Sequence, residues 1–196
     1  MQITKLKSPE ALAALALLVG AGVWGWRHYG PKTGASVVYQ GQARRPAPEF
    51  RLQDSSETER TLSSFRGRPV ILHFWATWCQ PCLSEIPDLI EAGRGWPDIS
   101  VVTVSLDDTW GAVEKLMPHA ELPANFTSLI DFSKKVPEDF GTYQYPESYL
   151  IDRDGAIIMK WVGAQDWKSE KTKAFLDRIL SETPEQQPQQ DQQPAG

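Results

Sequence analysis

The stretch that most constrains this chain runs from Pro69 to Cys82. There an apolar, partly β-branched run (PVILHFW) passes through Ala76-Thr77-Trp78 into Cys79-Gln80-Pro81-Cys82. A run this short, bounded by Gly67 before it and a polar turn after it, suits a strand buried on both faces. The residues after the turn open a helix. A thiol at a helix N-terminus faces unpaired backbone N–H groups and the positive end of the dipole, and both lower its pKa. Pro81 falls in the first turn, where its missing N–H costs nothing and its ring stiffens the spacer. Cys79, nearer the exposed end, is the expected attacking thiolate, and Cys82, one turn inside, the resolving thiol. A bridge kept for stability has little reason to sit here, because closing so small a loop constrains the unfolded chain only weakly.

Around this motif the pattern of residues alternates between strands and helices. Ile99 to Leu106 reads as a second buried strand and Trp110 to Met117 as a second helix. The first helix carries Ile86, Leu89 and Ile90 on one side. Phe126 to Ile130 is open between a short strand and an extended loop. Tyr149 to Ile151 and Ala156 to Val162, joined across Asp152-Arg153-Asp154-Gly155, form a hairpin whose Asp-Gly turn supplies a left-handed position. Trp167 to Leu180 closes the domain as a helix with Phe175, Leu176, Ile179 and Leu180 inward. The expected fold class is therefore α/β, a mixed central sheet flanked by helices.

The termini are of different kinds. Ala11 to Trp26 holds 16 residues without a charge, preceded by Lys5 and Lys7. As a helix it reaches about 24 Å, between a signal-peptide core and a full span. Trp24, Trp26 and Tyr29 suit a headgroup boundary, flanking lysine and arginine can snorkel, and no A-x-A site follows, so residues 1–29 read as an uncleaved anchor, with cleavage the open alternative. Residues 30–45, broken by Pro31, Gly34 and Gly41, form a tether, and 46–182 one domain. Residues 183–196, with six glutamines and three prolines, are expected to be disordered.

FWATWCQPC at 74–82, introduced by TLSSFRGRP at 61–69, closely resembles the active-site region of the membrane-anchored thioredoxin-like proteins of bacteria, the TlpA/ResA/CcmG (DsbE) group. PAPEFRLQD at 46–54 is similar to that group's N-terminal hairpin. The resemblance implies a thioredoxin-like fold and thiol-disulfide exchange outside the cytoplasm, on the periplasmic side of the inner membrane. It also decides the orientation: Arg27, Lys32, Arg44 and Arg45 follow the apolar segment, so a count of positive charges alone would place the domain inside.

The same resemblance assigns roles to further residues. Glu85 matches an acidic position beside the dithiol in the cytochrome c maturation thioredoxins. YPESYLID at 145–152 is similar to the P-E-T-F-L-I-D segment of the CcmG branch, which makes Pro146 the cis proline facing the dithiol and places Glu147 near the sulfurs. A cis peptide exposes the backbone of Tyr145 to an incoming substrate strand. A carboxylate near a thiolate disfavours the second charge, so Glu85 and Glu147 would tune the thiol pKa values. Trp78 is the apolar lip for a protein substrate, whereas Trp75, Trp161 and Trp167 are assigned to packing. Gln144 stands where the CcmG branch has glycine, Tyr145 is bulkier than usual there, and the Gln-Pro spacer is closer to the ResA type.

The reading that follows is a reductant of protein disulfides, apocytochrome c among them, supplied by a membrane electron-donor thiol protein, monomeric and without cofactor or metal. Its rivals are general TlpA-type thiol-disulfide exchange or a disulfide donor with the same site, and a copper-binding assembly factor using the thiols with His73 or His119. A peroxide reductase expects threonine or serine three residues before its reactive cysteine, and Ala76 stands there before Cys79. With 20 Lys and Arg against 25 Asp and Glu and no basic cluster, nucleic acid is not an expected partner.

Overall fold

A computed structural model describes residues 44–181. The predicted anchor, nearly all of the tether and the glutamine-rich tail lie outside the described residues. Eight strands form one mixed sheet in the order β1-β8-β7-β4-β5-β6-β2-β3. They are β1 (Arg45–Pro46), β2 (Arg51–Asp54), β3 (Glu59–Thr61), β4 (Val70–Trp75), β5 (Ser100–Ser105), β6 (Phe126–Ile130), β7 (Glu147–Ile151) and β8 (Ala156–Val162). The helices are α1 (Gln80–Gly95), α2 (Trp110–Leu116), α3 (Val136–Phe140) and α4 (Glu170–Ser181). The mixed sheet flanked by helices agrees with the expectation from the sequence.

β4 pairs in parallel with β5 and antiparallel with β7, and β5 pairs in parallel with β6. Every residue of β4 and β5 is buried, which is why both read as unbroken apolar runs. Alternate side chains serve opposite faces. Ile71, Trp75, Val101 and Leu150 pack with Cys79, Cys82, Ile86 and Leu89 of the α1 region and with Trp167 and Leu176. Leu72, Phe74, Val102, Tyr149 and Ile151 pack on the other face with Val136 and Phe140 of α3. The dithiol helix and α3 therefore lie on opposite faces of the sheet.

Phe126–Ile130 is a strand, paired with β5 on one side and β2 on the other. Of the segment 46–54 that resembles an N-terminal hairpin, Arg51–Asp54 is β2; its hairpin partner β3 lies beyond that segment, with Arg51 opposite Thr61. In the β7–β8 hairpin Gly155 has φ of +90°, the left-handed position expected of it. The Asp152 carboxylate closes that turn by accepting the backbone N–H groups of Asp154 and Ala156. The first helix starts at Gln80, directly on the motif, as expected. The closing helix starts later than expected, at Glu170, because Trp167 stays outside the helix and enters the core fully buried.

Candidate active site

Cys79 is the N-cap of α1, with extended backbone, and its sulfur accepts the N–H of Cys82 at 3.3 Å. That bond uses one of the helix's unpaired donors and puts the sulfur at the positive end of the dipole. Cys79 and Cys82 form a disulfide with Cα atoms 5.3 Å apart. Of the two, Cys79 keeps some exposure, 6% against 0% for Cys82. Pro81 sits in the first turn.

The loop before the dithiol is pinned by a residue that sequence reasoning did not single out. Asp107 lies just past β5, at the same end of the parallel sheet, and accepts both the backbone N–H of Thr77 at 2.9 Å and its hydroxyl at 2.6 Å. Ser105 donates to the same carboxylate at 2.6 Å. The signal was available in its place at the exit of a parallel strand, where sites of such sheets gather.

Glu85 lies on the turn of α1 after Cys82 and is 3% exposed. Its Oε1 accepts the indole N–H of Trp167 at 2.5 Å, and the Gln165 backbone also donates to the carboxyl. Its Oε2 is buried without a partner among the described residues. Burial pushes the Glu85 carboxyl up to about 8, against the two hydrogen bonds, which favour the ionised form, and with a smaller push from Asp88. The group is thus largely protonated at neutral pH. Trp167, which the sequence assigns to packing alone, packs against Trp161 with ring centroids 5.4 Å apart and also holds this carboxyl.

Trp78 is 64% exposed beside Cys79, and its ring meets that of Tyr145 edge-on with centroids 5.9 Å apart. The Tyr145–Pro146 bond is cis. The structure brings Trp78 and Tyr145 together next to the dithiol as an aromatic ledge.

Glu147 is placed elsewhere. It lies opposite Phe74 in the β4–β7 register and shares its sheet face with Tyr149, the face of α3 rather than of the dithiol helix. It is fully buried, pairs with the Lys160 ammonium at 2.8 Å and accepts from the Tyr149 hydroxyl at 3.2 Å. His73 is a core residue, fully buried, with Nδ1 2.8 Å from the Ser148 hydroxyl, and burial pushes it down to about 3. His119 is exposed on a separate turn. Among the described residues no three His, Cys, Asp or Glu side chains gather as a metal site.

A Cys-x-x-Cys disulfide at the N-terminus of the first helix of such a sheet is the arrangement of a thioredoxin-like thiol-disulfide oxidoreductase. The chain belongs to the AhpC/TSA family, whose model matches residues 43–160. It is 31% identical over 169 residues to the thioredoxin-like protein YneN of Bacillus subtilis, spanning 85% of this chain and 97% of that one. It is 31% identical over 138 residues to the thiol-disulfide oxidoreductase ResA of Bacillus thuringiensis, covering 69% of this chain and 75% of ResA. To the thiol:disulfide interchange protein DsbE of Vibrio cholerae it is 29% identical over 143 residues, covering 70% and 76%. Among solved structures, a protein assigned as DsbE from Chlorobium tepidum superposes with a TM-score of 0.63 at 30% identity, covering 71% of this chain and 98% of that one.

Proposed function

We propose that this chain is an extracytoplasmic reductant of protein disulfides, held at the membrane by residues 1–29 and recharged by a membrane electron-donor thiol protein. Apocytochrome c is the leading client. The observation that carries the reading is the buried Glu85 carboxyl one turn behind a dithiol whose outer sulfur caps α1. The similarity to ResA and DsbE supports the same reading.

In the reduced enzyme the Cys79 thiolate attacks one sulfur of the substrate disulfide. A Cys79–substrate disulfide forms, and the other substrate sulfur leaves as a thiolate that takes a proton. Cys82 then gives up its proton and attacks the Cys79 sulfur. The second substrate sulfur leaves, and the 79–82 disulfide forms. Two electrons pass to the substrate, and its two departing thiolates take up two protons, one released by Cys82 and one from the water that accepted the Cys79 proton on ionisation. Trp78 and Tyr145 receive the polypeptide beside the reacting sulfurs, with the Tyr145 backbone and Pro146 along the substrate strand. A neutral Glu85 next to Cys82 keeps a second negative charge away while the thiol ionises, and its own ionisation opposes that of the thiol. A thiol of raised pKa is a poor leaving group, which suits a selective reductant.

The test is reduction of a disulfide-bonded Cys-x-x-Cys-His peptide by the reduced full chain. The wild type should complete the reaction, Cys79→Ser should be inert, and Cys82→Ser should stop at a trapped mixed disulfide. Activity surviving in Cys79→Ser would contradict the assignment.

A further inference from the structure

Lys160 does not behave as a lysine on a sheet surface. Its side chain is 14% exposed, and its ammonium lies 2.8 Å from Glu147 Oε2 and 2.9 Å from the Gly141 carbonyl oxygen. The Tyr149 hydroxyl meets the same Glu147 oxygen at 3.2 Å. The rings of Tyr143 and Tyr149 flank the ammonium with centroids at 5.0 and 5.2 Å. Tyr149 extends the knot, its hydroxyl lying 2.9 Å from that of Thr142 and 3.1 Å from the Phe140 carbonyl oxygen.

These contacts converge on one segment. Gly141 to Tyr145 connects α3 to Pro146 and β7, and Lys160 and Tyr149 hold its first three residues. Its last residue, Tyr145, carries the ring that meets Trp78 beside Cys79. Burying an ion pair adds little net stability, since desolvation offsets the attraction. What the pair does supply is a fixed geometry.

We propose that Lys160 is a positioning residue for protein substrates: by tying Glu147 to the Gly141 carbonyl it fixes the 141–145 segment, and with it the Trp78–Tyr145 ledge on which the substrate polypeptide rests. The inference rests on the reading of the chain as a reductant of protein disulfides. A small disulfide reaches Cys79 without using the ledge, so Lys160 governs the choice between substrates and not the exchange itself.

The test compares two disulfides with the full chain in neutral detergent: the Cys-x-x-Cys-His peptide and 5,5′-dithiobis(2-nitrobenzoate). Lys160→Met should lower kcat/KM for the peptide roughly tenfold, mostly through KM, because a misplaced binding surface is costly. The small disulfide should change less than twofold, and the reduction potential should stay in place. Lys160→Met leaves Glu147 buried and unpaired, so Lys160→Met/Glu147→Gln, which removes both charges, is measured beside it and should show the same loss if the single variant does not fold. Equal losses on both disulfides, or an unchanged ratio in the folded variants, would overturn the inference while leaving the parent reading intact. A wild type inert towards the peptide would overturn the parent reading, and this one with it.

Discussion

Trp167 donates its indole N–H to Glu85 across 82 positions of sequence, and so ties the segment before the last helix to the carboxyl one turn behind Cys82. The bond favours the ionised carboxyl, and burial outweighs it. Trp167→Phe removes this donor and leaves the buried carboxyl with the Gln165 backbone bond alone, at a cost of about 1 kcal/mol. The Glu85 carboxyl should then titrate at higher pH. A carbonyl-stretch titration of Glu85 by infrared difference spectroscopy checks this, and a midpoint at or below the wild-type value would contradict it.

The dithiol should feel Glu85 as well. Glu85→Gln removes a group whose ionisation near pH 8 would set a negative charge beside Cys82. The apparent thiol pKa values, followed by thiolate absorbance, should fall by about one unit in this variant. Titrations that overlay those of the wild type would separate Glu85 from the thiols.

Stability should have two shoulders in pH. Glu85 has a folded pKa raised from 4.5 to about 8, so the folded state binds more protons between those values and stability falls as pH rises through them. His73 has a folded pKa lowered from 6.5 to about 3, so the unfolded state binds more protons there and stability falls as pH drops from 6.5 towards 3. Asp54, whose carboxyl is lowered by bonds from Ser56, Thr58 and Arg60 that outweigh its burial, adds to the acid side. The two main slopes oppose each other between 4.5 and 6.5. Thermal melts should therefore show a plateau there, with Glu85→Gln flattening the alkaline shoulder and His73→Gln the acid one.

Trp78 offers a side chain 64% exposed, whose contacts are made on the ledge and not in the core. Trp78→Ala should change the melting temperature by less than about 2 °C and slow peptide reduction roughly tenfold, as loss of an aromatic anchor does at other interfaces. Equal rates for the two proteins would remove the ledge from the mechanism.

Much of this was legible in the residues. The exit of PVILHFW into a Cys-x-x-Cys helix specified a buried central strand and the place of the dithiol, because periodicity and capping chemistry are local. Phe126–Ile130 stayed open because its five residues carry no clear alternation, and its pairing with β5 and β2 is a tertiary fact. The one-turn helix Val136–Phe140 has no legible pattern: Pro137 in its first turn and Gly141 after it, with φ of +72°, are proper signals, but five residues are too few to show a period. The partners of Glu85 and Glu147 were not legible at all. Trp167 and Lys160 are separated from them by 82 and 13 positions, and only the closing segment and the β8 pairing bring them in.

The central claim is tested most directly by the reduction potential of the Cys79–Cys82 pair in the full chain, equilibrated against dithiothreitol and glutathione buffers. A potential near or below that of thioredoxin, about −270 mV, is the result expected of a reductant recharged by a membrane donor. A potential near −120 mV would contradict it, and would make the same dithiol a donor of disulfides.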